Sequence, residues 1–348
     1  MNRSHCSKRG EILDRIDTMP DEVPHFDNAA IAKLTVDLYG IDGEISSLVS
    51  YEDQNACIKT SGGNYVLKIA NKRWAIEGLH MQTEVLEYLR TAAPELGLPR
   101  VVPTKSGETL KVVDGFAVRL LTFLEGNLFS VAPRSPELYL DLGRFLGRFT
   151  RAMQGYTHPA AHRPADLWNL DNVIACKAYL PNVVDDDVRA RVERFYEIYE
   201  KNTRPKLQYL RKSVIHNDVN EQNLLVASDG AAKITGLIDF GDMVFGTLIN
   251  ELAITLAYAL LGENDIEMAA RNIIRGYVQE FLLEASELEV LSDLVAMRLV
   301  QSIIMTSNRA KEYSDNTYIL ISQKPVRDLL KTLEGGNFVW AKNHKQYQ

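Results

Sequence analysis

Between Val214 and Asp242 the chain twice runs from a short apolar piece into a polar cluster, and no other stretch constrains it as much. Val214-Ile215 leads into His216-Asn217-Asp218-Val219-Asn220-Glu221-Gln222-Asn223, and Leu224-Leu225-Val226 leaves that loop. The chain is then expected to turn at Gly236, thirteen residues after Asn223, and to rise through Leu237-Ile238 into Asp239-Phe240-Gly241-Asp242. Short apolar runs bounded by polar turn residues read as buried strands. Two such strands would deliver Asp218, Asn223 and Asp239 into one small space. Asp and Asn also cap turns, and each of the three taken singly reads that way. Together, an Asp, an Asn five residues on and an Asp ending the next strand suit metal-assisted phosphoryl transfer. One carboxylate receives the acceptor hydroxyl, while the amide and the other carboxylate hold Mg²⁺ on the nucleotide phosphates.

At 348 residues the chain can bury a sizeable core and suggests two lobes. A hydrophobic content of 46% and a charged content of 24% are those of an ordinary globular protein. The net charge of −7 argues against a nucleic-acid partner or an anionic membrane surface, and suits a small cationic substrate. Cys6, Cys57 and Cys176 form no CxxC pair, so neither a disulfide framework nor a zinc site is indicated. No run reaches the ~18 apolar residues of a membrane span, and the N-terminus lacks a signal-peptide core. A cytoplasmic location is expected.

Residues 1–25 read as a charged leader. Asp27 or Asn28 would cap a helix that carries Ile31, Leu34 and Leu38 on one face and ends at Gly40. Strands follow at Leu48–Ser50, Ala56–Thr60 and Tyr65–Ile69, the last two joined by a turn in which two glycines supply positive φ. Lys68 in the third strand reads either as a solvent-facing lysine in alternation or as a phosphate ligand. A helix from about Arg73 to Arg90 carries Glu77 and Glu84 on one face, with Gln82 nearby. Any of these three could steer Lys68. An extended region begins at Pro99, and a hairpin is expected over Leu110–Phe123 with Asp114-Gly115 as its turn.

Leu124-Glu125-Gly126 then marks a hinge. The N-lobe would be residues 26–123, a five-stranded sheet with one main helix, and the helical C-lobe residues 124–348. Amphipathic spacing predicts a helix from about Pro136 to Gln154, another over Asp186–Asn202, and a buried one over Ile249–Leu261. Three more are expected near 264–284, 287–311 and 317–334. The fold class is α+β, a small antiparallel sheet followed by a mainly helical half.

At Lys68, His216, Asp218, Asn223 and Asp239 the chain resembles the aminoglycoside-phosphotransferase-like superfamily of small-molecule kinases. His216, Asp218 and Asn223 meet an HxDxxxxN spacing, and Ile238–Gly241 supply the later IDFG. The resemblance spans about residues 26–334. It is strongest to the hydroxylysine kinase branch, through Ser50–Asn55, Val118–Thr122, His216–Asn223, Ile238–Met243 and Glu251-Leu252-Ala253.

That resemblance implies a bilobal protein-kinase-like fold, Mg²⁺, and ATP or GTP as phosphate donor. It implies Asp218 as the group that orients and deprotonates the acceptor hydroxyl, and Asn223 and Asp239 as metal ligands. Lys68 would hold the α- and β-phosphates, steered by Glu84 or one of its neighbours. Backbone groups of Thr122, Phe123 and Leu124 would receive the purine, and His216 would brace the loop. No GxGxxG lies between the first strands, so the loop Tyr51–Asn55 would cover the phosphates.

The implied acceptor is a small hydroxylated amine, hydroxylysine first, with aminoglycosides, choline, ethanolamine and homoserine as alternatives. Its ammonium needs acidic neighbours, for which Asp242, Glu221, Glu251 and Asp171 are candidates, with Trp168 as a cation–π face. A protein kinase fits poorly. Asn220 stands where the catalytic-loop lysine would be, and only about ten residues separate Asp239 from the helix carrying Glu251, too few for an activation segment. A non-catalytic nucleotide-binding protein is the alternative of another class.

Overall fold

The computed structural model describes residues 23–48, 50, 53–312 and 323–335. Most of the expected leader, Val49, Tyr51 and Glu52 of the phosphate-covering loop, and the start of the last helix therefore lie outside the described residues. The chain divides into two compact units: residues 1–87 with 99–124, and residues 88–98 with 125–348.

The first unit opens with helix α1 (Asn28–Tyr39), capped by the Asp27 side chain on Ala30 N–H and closed by Gly40 at φ 70°. Strands β1 (Glu44–Leu48), β2 (Gln54–Thr60), β3 (Gly63–Ile69), β4 (Val101–Val102), β5 (Lys111–Val113) and β6 (Phe116–Thr122) form one antiparallel sheet in the order β1-β2-β3-β6-β4, with β5 on β6. The sheet thus has six strands where five were expected. Val101 and Val102 pair with Leu121 and Leu120, although two residues between prolines carry too little pattern to read as a strand. Of the two turn glycines only Gly63 has positive φ, whereas Asp114 and Gly115 both do, at 51° and 82°, as a type I′ pair requires. Alternation puts Leu67 and Ile69 into a core with Ile31, Ile58 and Leu120, and leaves Lys68 on the other face. Helix α2 (Ile76–Ala92) begins in this unit, and its residues from Tyr88 on group with the second.

The division between the units does not follow the expected cut at one hinge. Residues 88–98 group with the second unit because the Tyr88 hydroxyl donates to Ala152 O and Leu237 N–H donates to Gly97 O. Gly97 lies so close to the backbone that a Cβ there would stand 1.7 Å from Thr235 O.

In the second unit a short β7 (Asn127–Leu128) precedes α3 (Pro136–Met153), whose N-cap Ser135 accepts from Leu138 N–H. A 3₁₀ segment (Leu170–Asn182) and α4 (Asp186–Ile198) follow. Strands β8 (Lys212–Ile215), β9 (Leu224–Val226), β10 (Ile234–Leu237) and β11 (Val244–Thr247) follow, with a 3₁₀ turn (Phe240–Asp242) between the last two. Helices α5 (Asn250–Ala259), α6 (Ile266–Glu280), α7 (Ala285–Glu312) and α8 (Lys324–Gly335) complete it. α3 and α6 pack backbone to backbone through Gly143 and Gly276, where a Cβ would meet Ile273 O and Leu140 O at 2.0 Å. Among the described residues no helix is long and apolar enough to cross a membrane.

Candidate active site

The two strand-loop pieces seen in the sequence are neighbours in the second unit. β8 pairs antiparallel with β11, and β9 with both β10 and β7. Val214, Ile215 and Leu224 to Val226 are all buried, so the loop between them is held at both ends by the core. The turn between β9 and β10 lies at Ser228–Gly230, with Gly230 at φ 88°, and not at Gly236. Gly236 stands inside β10 opposite Leu225, beside a register shift. A glycine within a strand marks an irregularity as readily as a turn.

Asn223 O accepts from Ile238 N–H at 2.9 Å, which ties the start of β9 to the residue before Asp239. His216 is fully buried beside Phe240, ring centroids 4.8 Å apart. Its Nε2 lies 3.2 Å from Ile238 O, and its Nδ1 accepts from Asp218 N–H at 3.3 Å. Both contacts are met by a neutral imidazole protonated on Nε2. Burial pushes His216 down to about 4, against the pull of Asp239.

Asp218 is gripped at both oxygens. Its Oδ2 accepts from Asn220 Nδ2 at 2.9 Å and Asn223 Nδ2 at 2.8 Å, and its Oδ1 faces Arg298 Nη2 at 3.3 Å. None of these contacts engages the Asn223 amide oxygen. Burial raises Asp218 well above the usual carboxylate range; Arg298 opposes this, while Asp242 and Asp239 add to it. Asp239 is exposed and takes a left-handed backbone at φ 62°, as does Asn217 at 68°. Asp and Asn tolerate that region better than other side chains, and such conformations concentrate at functional sites.

The acidic candidates separate cleanly. Glu251, on the first turn of α5, is 1% exposed and accepts from His216 N–H at 2.5 Å and Asn217 N–H at 3.2 Å. It holds the loop and is closed to a substrate ammonium, which corrects its expected role. Burial pushes it up to about 7, with the two backbone N–H bonds pulling the other way. Asp171 is likewise spent, on Lys212 Nζ, Thr247 N–H and Asn250 Nδ2. Trp168 gives its ring to Arg298, whose guanidinium carbon is 5.1 Å from the ring centroid, so that face is occupied.

Glu221 and Asp242 are half-buried. Burial raises both, and Asp239 adds to the shift of Asp242. Glu221 Oε2 is buried with no hydrogen-bond partner among the described residues.

In the first unit, Lys68 on β3 stands opposite Asn55 on one side and Arg119 on the other. Arg119 is 2% exposed and donates to Gln82 Oε1 at 2.8 Å. Of the three side chains considered for steering Lys68, Gln82 therefore serves a different cation. Glu77 and Glu84 lie on the exposed face of α2. Thr122 N–H donates to Arg100 O and Phe123 N–H to Asn64 O, so both are spent within the sheet, whereas Leu124 N–H has no partner among the described residues.

Sequence reasoning missed Arg119, Arg298 and the donation from Asn220 to Asp218. The available signal was a single cation inside an apolar run, in Phe116–Leu121 and again in Leu294–Val300.

The sequence profile of the phosphotransferase enzyme family matches residues 45–287. The chain is 31% identical to a hydroxylysine kinase of Xenopus laevis over 86% of its own length and 88% of the relative's. It is 27% identical to a hydroxylysine kinase of Mus musculus over 93% of its length and 95% of the relative's. Among solved structures, the microcompartment-associated aminopropanol kinase superposes with a TM-score of 0.68 at 18% identity, covering 87% of this chain and 97% of that one. The resemblance to the hydroxylysine kinase branch is thus borne out, and so is the α+β kinase-like fold.

Proposed function

The chain belongs to the phosphotransferase enzyme family and is a small-molecule kinase, and from this premise we propose that it moves the γ-phosphate of ATP or GTP to the hydroxyl of a small amine, hydroxylysine first. The carrying observation is Asp218, held at Oδ2 by two amides and at Oδ1 by Arg298. A carboxylate so fixed can present its remaining lone pair to an acceptor hydroxyl at one angle, which is what a general base in phosphoryl transfer needs.

Asn223 and Asp239 are the proposed metal ligands. An amide oxygen and a carboxylate are hard donors that suit Mg²⁺, and a pair of protein ligands is the usual complement when phosphates supply the rest. Bound there, Mg²⁺ would neutralise charge on the transferring phosphoryl group. Lys68 is assigned to the α- and β-phosphates and the Leu124 backbone N–H to the purine. His216 and Glu251 brace the loop, since His216 accepts from the Asp218 N–H and Glu251 takes the two N–H groups before it.

The acceptor ammonium is assigned to Glu221 and Asp242. Both are half-buried carboxylates close to Asp218 in sequence or in space, and the Glu221 oxygen without a donor suits a cation. Hydroxylysine is favoured by near full-length relatives that carry that name.

The test is Mg²⁺-dependent transfer from ATP and GTP to 5-hydroxylysine, ethanolamine, choline, homoserine and kanamycin. Turnover on 5-hydroxylysine is expected. Turnover on kanamycin alone would overturn the hydroxylysine reading, and nucleotide binding with no transfer to any acceptor would make the chain a non-catalytic binder.

A further inference from the structure

Arg298 sits on α7, 80 residues from Asp218, and is the largest fully buried side chain among the described residues. Burying a guanidinium is costly unless its donors are matched, and here the Nη donors are, while Nε has no hydrogen-bond partner among the described residues. Nη1 donates to Trp168 O and to Gln301 Oε1, both at 3.0 Å. Nη2 donates to Asn217 O at 3.4 Å and to Asp218 Oδ1 at 3.3 Å. The rings of Trp168 and Tyr258 flank the guanidinium carbon, with centroids 5.1 and 5.5 Å away. The group is fixed by a carbonyl of the preceding loop, a carbonyl of the catalytic loop, its own helix and two aromatic rings.

That fixity bears on Asp218. Asn220 and Asn223 both bind Oδ2, and two donors on one oxygen leave the carboxylate plane free to turn about it. The contact at Oδ1 removes that freedom. A carboxylate offers about four lone-pair positions, of which the two amides and the guanidinium take three. The one left is on Oδ1, beside the cation.

We propose that Arg298 is a positioning residue for phosphoryl transfer: it sets the plane of the Asp218 carboxylate so that the last Oδ1 lone pair meets the acceptor hydroxyl. Both Nη nitrogens are taken up by four protein groups, so the fork acts on nucleotide and acceptor through Asp218. This inference rests on the assignment of Asp218 as the base.

The test uses the full chain and two substitutions. Arg298→Gln keeps a polar group of intermediate length and removes the cation, while Arg298→Lys keeps a cation without the fork. Misplacing a catalytic group by about an ångström costs on the order of 100-fold. Arg298→Gln should therefore lower kcat on 5-hydroxylysine by about 100-fold, with both KM values within about threefold of wild type, while Arg298→Lys recovers part of the loss. A kcat within about twofold of wild type in Arg298→Gln overturns the proposal, and so does an equal loss in both variants. If Arg298→Gln fails to fold, Tyr258→Leu carries the test by removing one aromatic face while leaving the guanidinium. It should lower kcat at unchanged KM, and unchanged kcat would overturn the proposal.

A crystal structure of Arg298→Gln reads the same point without an acceptor. The Asp218 carboxylate should be turned or split between conformers, and an unmoved carboxylate would refute the role. Absence of transfer by the wild type would instead sink the acceptor reading, leaving the crystallographic result to judge Arg298.

Discussion

Substituting Glu251 separates a brace from a substrate contact. The side chain is 1% exposed, and its two oxygens satisfy the backbone N–H groups of His216 and Asn217. Glu251→Ala strands both donors in the core. A buried unsatisfied donor costs about 1–3 kcal/mol, so the pair should cost about 4 kcal/mol. For a unit of this size each kcal/mol moves Tm by roughly 2–4 °C, giving a drop of roughly 8–16 °C. Glu251→Gln keeps one acceptor oxygen and sheds a buried charge, so its loss should be clearly smaller. Differential scanning calorimetry with steady-state kinetics reads both effects. The nucleotide and acceptor KM values should stay near wild type while kcat falls, because the loop carrying Asp218 loosens. A Glu251→Ala protein that melts at the wild-type temperature and binds acceptor poorly would refute the reasoning and return Glu251 to the substrate.

Other outcomes follow from the same geometry. His216 is held neutral, with its folded pKa of about 4 below the unfolded value near 6.5. The stability it contributes is complete above pH 6.5 and is lost as pH falls toward 4. Urea unfolding should show about 2 kcal/mol less stability at pH 5 than at pH 7.5 from this group, and an equally steep dependence in His216→Gln would contradict the assignment. Gly143→Ala drives a Cβ to 2.0 Å from Ile273 O, so α3 and α6 must part. A loss of about 3 kcal/mol is expected by thermal unfolding, and a change under about 0.5 kcal/mol would show that the helices give way freely. Glu221→Gln should raise the acceptor KM with little change in the nucleotide KM, and equal shifts in both would remove Glu221 from the acceptor side.

What could be read in the sequence was what is local. The β8 and β9 runs announce themselves as buried apolar pieces, and the Asp114-Gly115 turn by its residue pair. Gly236 misled because a glycine in a four-residue strand looks like a turn until the pairing is known. Val101 and Val102 became a strand only through β6. From the sequence Glu251 reads as a substrate acid, because its hydrogen bonds reach back 34 and 35 residues to backbone groups that no side-chain pattern reveals. Arg298 lay further still from Asp218, and only tertiary packing brings the two together. The sequence carried the chemistry of the loop, and the fold decided which charges serve it from beneath.

The central claim is that Asp218 delivers an amine-bearing hydroxyl to a nucleotide γ-phosphate. It is tested most directly by ³¹P NMR of ATP, Mg²⁺ and 5-hydroxylysine with wild-type protein and with Asp218→Asn. The wild type should convert ATP to ADP with a new phosphate-ester resonance coupled to the C5 proton of the acceptor. Asp218→Asn should bind ATP comparably and form that ester at least about 100-fold more slowly. Ester formation at an undiminished rate in Asp218→Asn would contradict the account.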